Sequence, residues 1–282
     1  MRLTTFAGLF CGLLAAVAVI GVAMREQRPV PVPAATPPTT WPDYSPQGPG
    51  FQPPHGERGP LIAYGYEIVT RTFATIGPEG TDPKMRFAGN NLACQSCHLD
   101  AGTNRFALPL VGVFKTYPKY SARNQRTISL EERIEECMTR SMNGRPLPGH
   151  SREMTALLDY LRHIGDPPAA PPLPEPQAPP LPPDAGRGAV VYTTICAACH
   201  QTDGLGRRLG SVDDARGYVF PPLWGPDSFN DGAGMDRYQH IVPFVRTNMP
   251  RGVDPQHPQL TLQQAWDVSA YVIAQPRPKY GR

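Results

Sequence analysis

Cys-x-x-Cys-His occurs twice in this chain, as Cys94-Gln95-Ser96-Cys97-His98 and as Cys196-Ala197-Ala198-Cys199-His200. Two cysteines one turn apart can reach the two vinyl groups of a porphyrin as thioethers, and the adjacent histidine is then held under the iron. A zinc site would want a second ligand pair at matching spacing in each half, and none is evident. A redox dithiol expects a strand–loop–helix setting, whereas both motifs follow helical patterns. Two covalently bound haem c groups are therefore expected, one on Cys94 and Cys97 with His98 as iron ligand, the other on Cys196 and Cys199 with His200. Haem also suits the composition. The 282 residues include 36 prolines and 27 glycines, and a domain of about 100 residues so composed has a thin core that a porphyrin would fill.

Most of the proline sits in two tracts, which mark linkers. Residues 25–56 are rich in Pro, Thr and Gly and cannot build a core. Residues 166–183 should form an extended polyproline strap of ~3.1 Å per residue. Two folded blocks remain, 57–165 and 184–282, each near the commonest domain size. Both follow one plan. The first opens on Ile62, Tyr66, Val69, Phe73 and Ile76 at helical spacing. It closes on a helix that starts at Ser151, buries Met154, Leu157, Leu158, Leu161 and Ile164, and stops at Gly165. The second opens at 186–192 and closes on a helix capped by Thr261 and Gln264, leading into Trp266, Ser269, Val272 and Ile273. Gly65 pairs with Gly188 in this plan, and Tyr160 with Tyr271. This is an internal duplication, mainly α, because strand signals are weak throughout.

Residues 1–24 read as an export signal or an N-terminal membrane anchor. The run Phe6 to Met24 has no charge, Arg2 precedes it, Arg25 comes after it, and small residues lie near its end. Cys11 within it lacks the leucine three positions earlier that a lipoprotein signal would place there. No later segment could span a membrane, so the working part is expected on the oxidising side, in a periplasm. A net charge of +3, from 27 basic and 24 acidic residues, excludes a bulk electrostatic case for nucleic acid.

Each iron needs a sixth ligand or an open position. In the second block the candidates are Met235, Met249, His240 and His257. Met249 lies in Arg246-Thr247-Asn248-Met249-Pro250, a turn shortly before the last helix, where small cytochromes c place a methionine ligand; Met235 is the runner-up. In the first block one cysteine is left over, Cys137. It sits in a helix begun by the Ser129/Glu132 capping box and ended by Gly144. Arg133, Cys137 and Ser141 are four apart and share a face, so a cation and a hydroxyl flank the thiol. Spacing leaves two readings open: a thiolate ligand at Cys137, or a buried inert cysteine with Met142 as the ligand.

The segments 94–103 and 133–144, with Phe220-Pro221-Pro222-Leu223-Trp224-Gly225-Pro226 and the tail Tyr271-Val272-Ile273-Ala274-Gln275-Pro276-Arg277-Pro278, resemble the dihaem thiosulfate dehydrogenase family. The resemblance runs from about Gly59 to the C-terminus. It implies two tandem cytochrome c domains joined by the proline-rich linker, with the active-site haem in 57–165 and the electron-transfer haem in 184–282. It places His98 and Cys137 on the first iron, and His200 and Met249 on the second. It assigns Arg123, Arg133 and Ser141, with Cys137, to the substrate pocket. Some members carry a lysine before the methionine that can swap onto the second iron. Here that position is Asn248, which speaks against such a switch.

The implied reaction joins two thiosulfate ions into tetrathionate and passes electrons to a small c-type cytochrome or another periplasmic acceptor. The same site can run in reverse as a tetrathionate reductase. Two other readings remain. One is a sulfur-oxidation cytochrome that attaches thiosulfate to a carrier-protein cysteine. The other is a dihaem electron-transfer protein without a substrate of its own.

Overall fold

The helices run α1 (Gly59–Thr70), α2 (Thr72–Thr75), α3 (Leu130–Arg140), α4 (Arg152–His163), α5 (Ala185–Val191), α6 (Ala197–His200), α7 (Tyr238–Asn248) and α8 (Leu262–Ile273). Two small antiparallel hairpins interrupt them: β1 (Lys119–Ser121) with β2 (Arg126–Ile128), and β3 (Arg207–Arg208) with β4 (Tyr218–Phe220). The computed structural model describes residues 41–45, 48–165, 176–210 and 217–281. These belong to one compact unit. The expected signal or anchor at 1–24 and residues 166–175 of the strap expected at 166–183 lie outside the described residues. Among the described residues no helix is long and apolar enough to cross a membrane.

Each motif is mounted on a helix pair that closes on a glycine. α1 packs on α4 through Gly65, where a Cβ would overlap the Ala156 carbonyl and stand 2.7 Å from Tyr160 Cβ. α5 packs on α8 through Gly188, where a Cβ would overlap the Asp267 carbonyl and stand 2.8 Å from Tyr271 Cβ. The expected pairing of Gly65 with Gly188 and of Tyr160 with Tyr271 thus has a steric basis: only glycine lets the backbones approach this closely. The closing helices begin as their caps dictate. Ser151 Oγ accepts from Met154 N at 3.1 Å, and Thr261 and Gln264 form a reciprocal box. Two tyrosine hydroxyls then pin the chain after each motif: Tyr160 donates to Ala101 O at 2.7 Å and Tyr192 to Gln201 O at 2.6 Å.

Several local expectations are corrected. The helical period from Ile62 to Ile76 does not form one helix. It breaks at Arg71, because Thr72 turns inward, donates to Ile68 O at 2.6 Å and accepts from Cys94 N at 3.0 Å. The break thereby anchors the first motif. α3 ends at Arg140, short of Gly144, so Ser141 is its C-cap. Asn143 takes φ +46° and Gly144 N returns to Met138 O at 2.9 Å. Asn248 is the last residue of α7, and the turn begins only at Met249. Within the proline-rich segment before the first block, Trp41, Tyr44 and Phe51 pack on the core. Trp41 donates to Thr103 O at 2.6 Å, and Phe51 stacks on Tyr66 at 4.2 Å. The bulk composition of that segment masks three aromatic anchors.

A buried polar seam joins the two halves. Asn90 is fully buried and donates from its amide to Ser141 O at 3.0 Å and to Ser228 O at 3.1 Å. Asn230, also buried, donates to Thr139 O at 2.9 Å and Asn143 Oδ1 at 3.1 Å, and its backbone N–H reaches Arg140 O. Phe229 and Ala233 enter the core of the first half. Satisfied buried amides of this kind fix one relative register of the segments they join.

Candidate functional site

α3 is almost entirely polar, and only Leu130 and Met138 are buried. Its stability therefore comes from its ends. Ser129 Oγ accepts from Glu132 N at 3.2 Å and Glu132 Oε2 from Ser129 N at 2.8 Å; Glu131 and Glu132 lie at the positive end of the helix dipole and Arg140 at the negative end. A helix so capped can turn a charged face inward. That face carries Arg133, Glu136, Arg140 and, at the cap, Ser141.

The β1–β2 hairpin supplies the adjoining wall. Its turn holds Arg123, whose guanidinium donates to Gly232 O at 3.0 Å, while Asn124 donates to Glu136 Oε1 at 2.8 Å. Between hairpin and helix lies a cavity of about 230 Å³ lined by Tyr117, Lys119, Arg123, Arg133, Glu136, Arg140, Ser141, Gly234, Arg237 and His240, among others. Three pocket residues expected from sequence, Arg123, Arg133 and Ser141, are thus brought together. Lys119, Arg140 and Arg237 were missed. Arg140 had a signal, since it lies one turn beyond Glu136 on the same helix. Arg237 had none, because about 100 residues separate it from α3.

The electrostatics are those of an anion site. Five cationic side chains face one carboxylate, Glu136. Arg133 and Arg140 reach it at 3.5 and 3.7 Å. Burial, then the neighbouring cations Arg140 and Arg237, pull the Arg123 guanidinium below its ordinary value. Arg133 moves the other way, raised first by the Cys137 sulfur and then by Tyr117 and Glu136. Arg140 lies under the Tyr280 ring at 4.4 Å, and its Nε is buried with no hydrogen-bond partner among the described residues.

Cys137 lies behind this wall, in the space of the first motif. Burial pushes the Cys94 thiol up to about 11 and the Cys97 thiol up to about 12, and in both the nearby Cys137 sulfur adds to the rise. Met142, the alternative ligand, is buried in the core of the first half. His98 Nδ1 is bound to Leu108 O at 2.5 Å and His200 Nδ1 to Pro221 O at 2.8 Å. Burial lowers both imidazoles, which favours the neutral ring. Each ring therefore has Nδ1 occupied by a backbone carbonyl and Nε2 left as the ligating atom, as an axial haem ligand requires. Cys94, Cys97, Cys196 and Cys199 are all free of disulfides. The residues present fit covalent haem in both halves. Met249 packs with Leu99, Ala107 and Phe244 between the halves, with Met235 and Leu108 beside it. Met235, the runner-up, also touches the cores of both halves. His257 is exposed and paired to Asp254 at 2.6 Å. His240 lines the anion cavity.

Comparison with known proteins agrees with this architecture. The SoxA/TsdA cytochrome c domain model matches residues 85–166, and the cytochrome c model matches residues 185–274. A thiosulfate dehydrogenase of Allochromatium vinosum is 38% identical over 243 residues, covering 80% of this chain and 82% of that protein. One of Stutzerimonas stutzeri is 37% identical over 238 residues, covering 81% and 73%. The solved thiosulfate dehydrogenase TsdBA of Marichromatium purpuratum superposes with a TM-score of 0.71 at 35% identity, over 81% of this chain. This chain spans 48% of that longer solved chain. With two cytochrome c domains, each a site for covalent haem c, and relatives this similar over most of their length, the chain belongs to the thiosulfate dehydrogenase family.

Proposed function

We propose that this chain oxidises two thiosulfate ions to tetrathionate in the cavity between α3 and the β1–β2 hairpin. The observation that carries the reading is a cationic cavity with a lone thiol, Cys137, at its back. Thiosulfate is a small dianion. Arg123 and Arg133 supply charge-assisted donors for its oxygens, and the Ser141 hydroxyl supplies another. Fixed guanidinium groups in a half-buried site are already oriented, so they stabilise added negative charge without reorganising.

Cys94, Cys97 and His98, with Cys137, would hold one haem and Cys196, Cys199 and His200, with Met249, the other, and these groups would supply one-electron acceptors. Cys137 has a second task as nucleophile. Its thiolate bonds the sulfane sulfur of one thiosulfate as two electrons leave, giving an adduct in which Cys137 Sγ is bonded to S–SO₃⁻. The sulfane of a second thiosulfate then attacks that sulfur, forms the central S–S bond of tetrathionate and returns the Cys137 thiolate. The net change is two thiosulfate to one tetrathionate and two electrons. The Arg133 guanidinium interacts with the Cys137 sulfur and so offsets negative charge that develops there as the adduct breaks. The electrons pass to a small c-type cytochrome or another periplasmic acceptor. Residues 1–24 export the protein, and are either cleaved or kept as an anchor.

The test is thiosulfate-dependent reduction of ferricyanide by the purified dihaem protein, with tetrathionate quantified. Two thiosulfate consumed per tetrathionate formed is the expected result. No turnover in either direction, with both haems reducible, would replace this reading by the partner-dependent or electron-shuttle alternatives.

A further inference from the structure

The cavity holds more positive charge than one dianion needs, and part of that charge comes from the second half of the molecule. Lys119, Arg123, Arg133, Arg140 and Arg237 face only Glu136, so the excess is about four charges, equal to that of two thiosulfate ions. The cations differ in how they are used. Arg133 and Arg140 share Glu136, and Arg123 gives a donor to Gly232 O. Among the described residues no ion pair engages Arg237 or Lys119. The acids nearest Arg237 in sequence are drawn off by the C-terminal tail: Asp236 pairs with Arg277 at 3.3 Å and Asp231 with Lys279 at 3.1 Å. Arg237 therefore stands at the cavity without an ion pair among the described residues, with Asp236 acting on it only at longer range.

Its position is built. The segment before it is held on the first half by Phe229 and Ala233 in the core, by the Asn230 amide on Thr139 and Asn143, and by Arg123 on Gly232 O. Gly234 and Arg237 then form cavity wall. The fixed backbone before Arg237 thus sets this exposed side chain at the cavity mouth.

We propose that Arg237, with Lys119, forms a second anion subsite that holds the second thiosulfate while Arg123, Arg133 and Ser141 hold the first. This rests on the thiosulfate-coupling reading above. The second dianion is repelled by the anionic sulfonate already held on Cys137, and separate cationic groups for each offset that repulsion. The second domain thus contributes binding as well as its haem. The seam that joins the halves would then be a condition for coupling.

Equilibrium dialysis of labelled thiosulfate against the dihaem protein fully reduced with titanium(III) citrate, which has no oxidised haem to turn substrate over, reads the subsites directly. About two thiosulfate per chain are expected for wild type and about one for Arg237→Gln/Lys119→Gln. In turnover the double variant should need roughly ten- to hundredfold more thiosulfate to saturate, and Arg237→Lys should restore most of the loss. Both substituted side chains are exposed, and unchanged visible spectra and melting would show the fold intact. One thiosulfate per chain in wild type, or two in the double variant with unaltered saturation, overturns the second subsite. Absence of tetrathionate from wild type would instead overturn the coupling reaction, and the dialysis result would still judge the subsite.

Discussion

The two halves share a scaffold and differ in the long helix that each carries beyond its motif. In both, a glycine-closed helix pair and a histidine fixed through Nδ1 present a haem site. In the first half that helix is α3, which buries two residues and turns its charges inward. In the second it is α7, which buries Ile241, Val242, Pro243, Phe244 and Asn248. A polar helix held by its caps leaves a cavity; an apolar helix held by its core fills one. The scaffold therefore specifies where haem sits, and the inserted helix specifies whether there is a place for substrate beside it.

The sharpest break of this comparison is Cys137→Ala. It should lower turnover by about a thousandfold or more, because a nucleophile is lost, while both haems remain attached. Steady-state tetrathionate formation with a pyridine haem assay measures both. Near-normal activity with full haem loading would mean that the halves do not differ in the way argued.

Substitution of the two closing glycines tests the shared scaffold. Gly65→Ala and Gly188→Ala each place a methyl against a backbone carbonyl. Each should destabilise its half by about 1–3 kcal/mol, or more where the backbone cannot yield. Urea titration of the holoprotein, monitored at the haem absorbance, reads both. A neutral effect at one site alone would show that the duplication is looser there.

The caps give the smallest and most discriminating effect. Ser129→Ala and Thr261→Ala remove equivalent boxes, and each should cost about 1 kcal/mol. Only Ser129→Ala should also raise the thiosulfate concentration needed for half-saturation, because α3 has little core to hold it in place. Equal effects on substrate use would show that α3 does not depend on its cap.

Local features were legible in the sequence because their causes are local. The haem motifs, the Ser129, Ser151 and Thr261 caps and the glycine–tyrosine pairs all act within a turn or two, or recur in both halves. The β1–β2 hairpin was not legible. Its strands are three residues each and mostly exposed, so they carry no alternating apolar signal. The end of α3 was misplaced for a related reason: Asn143 adopts a left-handed conformation that Gly144 was expected to supply.

The sequence by itself determined the number and kind of haem sites, the mainly helical class and two members of the pocket, Arg133 and Ser141, since each stems from residue type at short spacing; Arg123 came only from the family resemblance. Only the tertiary structure brought Gly234 and Arg237 to α3, placed Arg140 under Tyr280, and drew Asp231 and Asp236 off to the tail. Those contacts join positions from about 40 to 140 residues apart. They are decided by how Phe229, Asn230 and Asn90 pack into one buried seam, and no local spacing encodes that.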